Sequence, residues 1–213
     1  MNKSNTKIID ISWPITPDMT SYKNSKPVTF TELKLFSRDQ VRDSAIFMNT
    51  HTGTHVDAPS HFCETGKPIE SVQLTTLVGP CKVFDMIQCS EKIMVQELEP
   101  LAIAQGDIIL FKTQNSSLPV TALFDPFFMY LDVSGAQFLA DKKIKAVGID
   151  YLGIERNQSN HNTHTILFEN NVTIIEGLRL GHVAPGAYFF CCLPLAVHGL
   201  EAAPARAILI ENY

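Results

Sequence analysis

Long hydrophobic runs are missing from this sequence. No stretch approaches the ~20 apolar residues of a membrane-spanning helix, so no membrane partner is expected. Paired cysteines are missing as well. Cys63, Cys81, Cys89, Cys191 and Cys192 are odd in number and lack C-x-x-C spacing, which argues against a disulfide framework or a zinc ribbon. Free thiols in a reducing compartment are the expectation. Basic charge is in deficit: 17 Lys and Arg stand against 22 Asp and Glu, giving a net charge of −5. Such a balance provides no general attraction to nucleic acid or anionic lipid. The opening residues 1–7 are polar and lead straight into Ile8-Ile9-Asp10-Ile11, without the apolar segment and cleavage site of a secretion signal. A cytoplasmic protein is therefore expected. Repeats, low-complexity tracts and Gly/Ser linkers are also lacking. With 45% apolar and 18% charged residues in 213, disorder is excluded and one domain spanning 1–213 is expected.

What is present is a series of short, punctuated apolar segments rich in β-branched and aromatic residues. They fall at 7–11, 28–36, 45–49, 81–86, 107–112, 144–149, 172–175, 188–193 and 205–210, and their length and composition predict strands. Helical patterns are fewer. Residues 134–142 predict a helix opening on Ser134 as its N-cap, and 68–77 and 162–168 predict two shorter ones. Residues 146–150 form a buried strand pattern ending in the Asp150 carboxylate, a position where α/β sheets commonly place sites. The class is mixed α/β, with strand the larger share.

The chemistry concentrates in His51-Thr-Gly-Thr-His55-Val-Asp57-Ala-Pro-Ser-His61, which holds three of the chain's 7 histidines and a carboxylate. His and Asp are ligands that suit zinc and manganese, and both ions generate hydroxide from bound water near neutral pH. Gly53, the flanking threonines and Pro59 oppose a helix, so the run predicts an irregular loop after the 45–49 strand. Neither histidine is followed by a glutamate, which excludes an HExxH zinc-protease helix. The threonines and Ser60 are placed to hydrogen-bond the ligands.

This run resembles the HxGTHxDxPxH signature of the metal-dependent cyclase family, which includes bacterial kynurenine formamidases and isatin hydrolases. Asp10-Ile-Ser resembles the family's opening strand, and Gly79-Pro-Cys-Lys-Val the strand after the metal loop. Val147-Gly-Ile-Asp150-Tyr, Ile174-Ile-Glu176-Gly-Leu, Leu193-Pro-Leu and Pro204-Ala-Arg206-Ala resemble later blocks. The resemblance implies that His51 and His55 bind a first metal and that Asp57 bridges or sits between two. It makes His61 the catalytic acid/base. A second metal would take a later histidine and a glutamate twelve residues on, which His164 and Glu176 fit; His161, 15 from the same glutamate, competes. Glu169 lies nearby in Phe-Glu-Asn-Asn, which reads as a turn. The implied cofactor is Zn2+ or Mn2+, two ions per chain. The implied fold is the compact swivelling β/β/α type, assembled as a homodimer or homotetramer.

The implied activity is metal-dependent hydrolysis of a small amide, formamide or cyclic amide, of the arylformamidase type. A lactone or cyclic ester hydrolase on the same centre is the alternative, and a non-catalytic metal- or small-ligand-binding protein is the rival from another class. His61 argues for the enzyme, because binding alone does not need it. Two features depart from the formamidase pattern. Tyr22-Lys23-Asn24 keeps the aromatic residue and loses the Pro-Gly that follows it in the formamidases, and Glu201-Ala-Ala-Pro204 replaces Asp-Gly-Ser/Ala-Pro. Tyr22 and Trp13 are the expected substrate-stacking aromatics. His182 and His198 read as structural histidines, and Cys63 as a small buried hydrophobe.

Overall fold

The computed structural model describes residues 6–25 and 28–212. In chain order its elements are β1 (Lys7–Asp10), β2 (Thr29–Lys34), α1 (Phe36–Asp39), β3 (Asp43–Phe47), β4 (His55–Asp57), β5 (Val78–Asp85), β6 (Lys92–Ile93) and α2 (Val95–Leu98). They continue with β7 (Ile108–Lys112), β8 (Tyr130–Leu131), α3 (Val133–Asp141), β9 (Ala146–Ile149), α4 (Asn162–Glu169), β10 (Thr173–Glu176), β11 (Gly186–Pro194) and β12 (Ala202–Glu211). Each strand pattern seen in the sequence coincides with a strand, and the protein is a strand-rich α/β fold.

The main sheet runs β1-β12-β11-β5-β7-β9-β10-β4, and β4 pairs with β12 as well as β10. Seven strands therefore close into a barrel-like ring, with β1 added outside on β12. The long strand β12 closes it by changing partners along its length. Ala202–Pro204 pair with Asp57–His55, and Ala205–Ile210 pair with β11. β5, β7, β9 and β10 are parallel neighbours and the remaining pairs are antiparallel.

Alternation along the strands sorts side chains to two cores. In β7, Ile108 and Leu110 join a cluster to which every strand of the ring contributes, including Val56, Val83, Ile175, Phe190 and Leu209. Ile109 and Phe111 point the other way and pack under α3 and α4 with Leu139, Leu167 and Ile174. At about 1.5–3 kcal/mol per fully buried aliphatic or aromatic side chain, these two layers supply the main force holding the ring closed.

Local chemistry moved three sequence expectations. α3 is capped by Asp132, whose Oδ1 accepts the Ser134 N–H at 3.0 Å, so Ser134 lies inside the first turn. Residues 68–77 form two separate 3-10 turns, Ile69–Ser71 and Leu74–Thr76, because Val72 and Gln73 between them are extended. The β-branched residues of that stretch favour such interruption. In the histidine run, residues 55–57 are a strand rather than irregular loop, since β4 fills the gap between β10 and β12 and takes ladder bonds from both. Asp150 is fully buried and accepts from the Thr113 N–H and Oγ1 at 2.7 Å and from Ser116 Oγ at 2.6 Å. Burial outweighs these donors and pushes its carboxyl up to about 6. It fastens the end of β9 to the segment after β7 and does not line the cavity described next.

Candidate metal centre

The rim where β4 meets β10 gathers the chemistry-bearing side chains. The antiparallel register sets Glu176 opposite His55 and Ile174 opposite Asp57. Residues 13, 54 and 177 weld the approach to this rim. The Trp13 N–H donates to Thr54 Oγ1 at 2.7 Å, and that hydroxyl donates to the Gly177 carbonyl at 2.6 Å. Gly177 has φ +71, and a Cβ there would lie 2.0 Å from the Gly53 oxygen. Gly177→Ala is therefore expected to cost about 2–4 kcal/mol, by strain and displacement of the histidine loop. Gly199→Ala is the control, because Gly199 has a similar φ of +77 and nothing within 4 Å of a Cβ. It should cost about 1 kcal/mol. Equal denaturation midpoints for the two variants would show that the close approach at Gly177 carries no weight.

The donors converge as follows. His51 Nδ1 is 3.0 Å from Asp57 Oδ1. His55 is buried, and its Nδ1 lies 2.9 Å from the Gly53 carbonyl, which fixes the proton there and leaves Nε2 as a donor atom. That Nε2 is 3.4 Å from both Asp57 Oδ1 and Glu176 Oε2. His164, on α4, brings Nε2 to 3.3 Å from Glu176 Oε1 and 3.5 Å from Asp57 Oδ2. Two donor triads result among the described residues, His51/His55/Asp57 and Asp57/His164/Glu176, with Asp57 common to both.

Electrostatics make this cluster costly without a cation. Burial alone would lower His55, but Asp57 and Glu176 outweigh it and raise the imidazole to about 9. His164 is also raised, its burial being overcome by Asp57, Glu155 and Glu176. Burial and the nearby Asp57 push Glu176 up, yet His164 and His55 hold it at about 2. Asp57 lies well below the usual carboxylate range, burial being overcome by His164, His51 and His55. His51 Nε2, His55 Nε2 and both Asp57 oxygens are nevertheless buried without hydrogen-bond partners. Unpaired buried polar atoms of this kind are destabilising unless a ligand satisfies them. Imidazole nitrogens mixed with carboxylate oxygens suit a divalent ion.

His51, His164 and Glu176 of the cluster line a cavity of about 340 Å³, whose other walls include Met19, Tyr22, Val28, Phe62 and Leu152, with His55 and Asp57 buried behind them. His61 lies in that wall, with its ring centroid 4.1 Å from His51 and 6.0 Å from His164. Burial lowers His61 to about 4 against the pull of Asp57, so it is neutral at pH 7. Tyr22 lines the cavity and packs edge-on against Phe124 at 4.9 Å. Trp13, expected from the sequence beside Tyr22, is absent from the cavity wall. It is buried, its indole N–H donates to Val120 O, and Arg179 covers its ring. Its part is to support the histidine loop.

His161 and His164 separate clearly. His161 turns to Glu155 through Nδ1 and stacks on Phe62 at 4.1 Å, while His164 faces Asp57 and Glu176. Glu155, which the sequence gave no reason to single out, is buried with Oε2 3.0 Å from His164 Nδ1. No motif marks it, because the contact depends on how the loop before α4 folds back. Glu169 ends α4 and joins neither donor triad. Cys63 packs against the second core, His182 Nε2 lies 3.1 Å from Asp10 O, and the exposed His198 is near Glu70.

A closed α/β ring with buried imidazole and carboxylate donors converging beside a cavity defines a candidate metal-binding site. The Cyclase family model, described as "Putative cyclase", matches residues 9–156, and the chain belongs to this family. The kynurenine formamidase of Bacillus anthracis is 31% identical over 208 residues, covering 96% of this chain and 97% of that protein. A solved structure described as a "predicted metal-dependent hydrolase from Bacillus stearothermophilus" matches at 43% identity and a TM-score of 0.89, covering 98% of this chain and 100% of that one. Isatin hydrolase A from Ralstonia solanacearum shares the fold, with a TM-score of 0.84 at 19% identity over 98% of this chain and 93% of that one.

Proposed function

We propose that the chain hydrolyses the C–N bond of a small amide, formamide or cyclic amide, with N-formylated aromatic amines as the first substrate class. The observation that carries this reading is the pair of donor triads sharing Asp57, whose members His51, His164 and Glu176 line a largely apolar cavity. Five ligands, His51, His55, Asp57, His164 and Glu176, exceed what one tetrahedral ion with an open position requires. Two ions of zinc or manganese are the proposed complement.

A divalent ion held there would supply an acidified water, with a pKa near 7, and an electrophile for the substrate carbonyl. The chain's own residues do the rest. His61, neutral at pH 7 and aimed into the cavity, takes the proton of the attacking water and returns it to the leaving nitrogen. Amide nitrogen is a poor leaving group until protonated, so this return is the step that separates amides from activated esters. Asp57 and Glu176 would offset the charge of bound ions, and the Ile154 N–H, donating to Glu176 Oε1 at 2.6 Å, holds that carboxylate in place. Tyr22, Phe62 and Met19 offer a face for a flat aryl group.

Glu155 stands behind His164, its Oε2 3.0 Å from Nδ1 and accepting the His164 backbone N–H at 3.3 Å, which leaves Nε2 for the metal. Glu155→Ala should weaken binding of the second ion roughly 10–100-fold, with Glu155→Gln closer to wild type. Stepwise metal titration by calorimetry reads this directly. An unchanged second affinity in Glu155→Ala would remove Glu155 from the design.

The test of the function is metal analysis of the purified protein, paired with kcat/KM for N-formylkynurenine, isatin and a panel of lactones. Preference for the formamide supports the proposal. Lactone turnover a hundredfold above both amides would replace it with an esterase reading, since specificity is the ratio of kcat/KM values.

A further inference from the structure

The cavity at the metal centre has a neighbour. A second cavity of about 260 Å³ adjoins it, and Tyr22, Lys23 and Asn157 line both. Phe124, Pro126 and Phe128 give the second cavity an apolar wall, which Asn24 and Arg156 complete. Glu155 and Glu176 line the first cavity, whereas no carboxylate among the described residues lines the second.

Two cations face this second space, and their situations differ. Arg156 is already engaged. Its Nη2 pairs with Glu91, its Nη1 donates to the Phe128 carbonyl at 3.1 Å, and its guanidinium lies 4.7 Å from the centre of the Tyr130 ring. Lys23 forms no ion pair among the described residues, and its Nζ lies 5.2 Å from the centre of the Tyr22 ring. Such a contact is weak at an exposed site and leaves the ammonium donors free for an anion.

Lys23 stands where the formamidase pattern continues from the aromatic residue into Pro-Gly. Its backbone is left-handed at φ 52, as are Asn24 at 53 and Asn157 at 51. Asparagine takes that conformation readily and lysine does not, so the lysine is held there at a cost. Asn24 Oδ1 accepts the Phe124 N–H at 2.9 Å, and Ser25 Oγ donates to the Tyr22 carbonyl at 2.7 Å, which fastens the turn. A cation is thereby fixed at the junction of the two cavities.

We propose that the second cavity receives a carboxylate of the substrate with Lys23 as its counter-ion, the substrate being an aryl amide with an acid side chain and no α-ammonium, a narrowing of substrate class that rests on the hydrolase function proposed above. An α-ammonium would enter a space walled by two cations and no carboxylate, where like charges repel.

The test uses metal-loaded protein and three formanilides whose ring carries a three-carbon chain. One chain ends in a carboxylate, one in a hydroxyl, and one in a carboxylate with an α-ammonium beside it. Wild type should favour the acid over the alcohol about tenfold in kcat/KM, the low end for a hydrogen bond to a charged group because Lys23 is exposed. The amino acid should rank below the acid. Lys23→Met should erase the preference through KM, Lys23→Glu should invert it, and Lys23→Arg should keep most of it. Calorimetry with 3-phenylpropanoate needs no turnover, and Lys23→Met should bind it about tenfold more weakly than wild type. That loss in a protein that cleaves none of the formanilides would uphold the subsite and remove the hydrolase reading. An acid preference unchanged in Lys23→Met, equal binding of 3-phenylpropanoate by the two proteins, or an amino acid preferred to the acid would overturn the proposal.

Discussion

Asp57→Ala is expected to lose metal and turnover together. Asp57 is the one residue common to both donor triads, and its two oxygens face His51 and His55 on one side and His164 on the other. Removing it leaves His51 and His55 with no carboxylate between them, and Glu176 as the one carboxylate remaining in the two triads. The loss should exceed the roughly 10–100-fold that follows from deleting a group behind a ligand, and activity should fall to background. Metal content after dialysis measures the first effect and kcat/KM the second. Two retained ions in Asp57→Ala would refute the shared-carboxylate centre.

The same site predicts how metal uptake depends on pH. His55 is held at about 9 and His164 is also raised, so the metal-free chain carries protons on both at pH 7. Ions compete with those protons. Affinity should therefore rise as pH increases toward 9, and binding at pH 7 should release protons, seen calorimetrically in buffers of different ionisation enthalpy. Affinity that falls over this range would contradict the assignment of His55 and His164.

His61→Ala is expected to retain metal and to lose about 10²–10⁴ in turnover, the usual contribution of a positioned acid/base. The reasoning is geometric. His61 belongs to neither donor triad, yet it lies in the cavity wall with its ring against His51. Burial keeps it neutral at pH 7 and ready to accept a proton. Its removal should slow amide cleavage more than cleavage of an activated ester, whose leaving group needs no protonation. A His61→Ala protein that loses its metal would make His61 a ligand instead, and equal losses on amide and ester would deny it the proton-return role.

Much of this protein was legible in the sequence, because the informative signals are local. Apolar side chains spaced for strands, with β-branched residues and turn punctuation, marked β1 and every strand of the ring beside it except β4. Donors crowded between 51 and 61 marked the metal chemistry, since no packing requirement explains three imidazoles and a carboxylate together. The spacing of His164 and Glu176 was visible too, but only the fold separates His164 from His161. α4 turns one ring toward Asp57 and leaves the other against Phe62 and Glu155.

Tertiary structure alone decided what distant segments do to one another. The stretch around His55 became a strand because β10 and β12 left a slot for it, and that register put Glu176 beside His55. Trp13 became support for the loop because Arg179 and Tyr151 cover it. Asp150 became a buried fastening because Thr113 and Ser116 reach it from the end of the neighbouring strand. Propensity and periodicity act over a few residues, whereas ring closure, strand order and side-chain facing depend on which segments share a core.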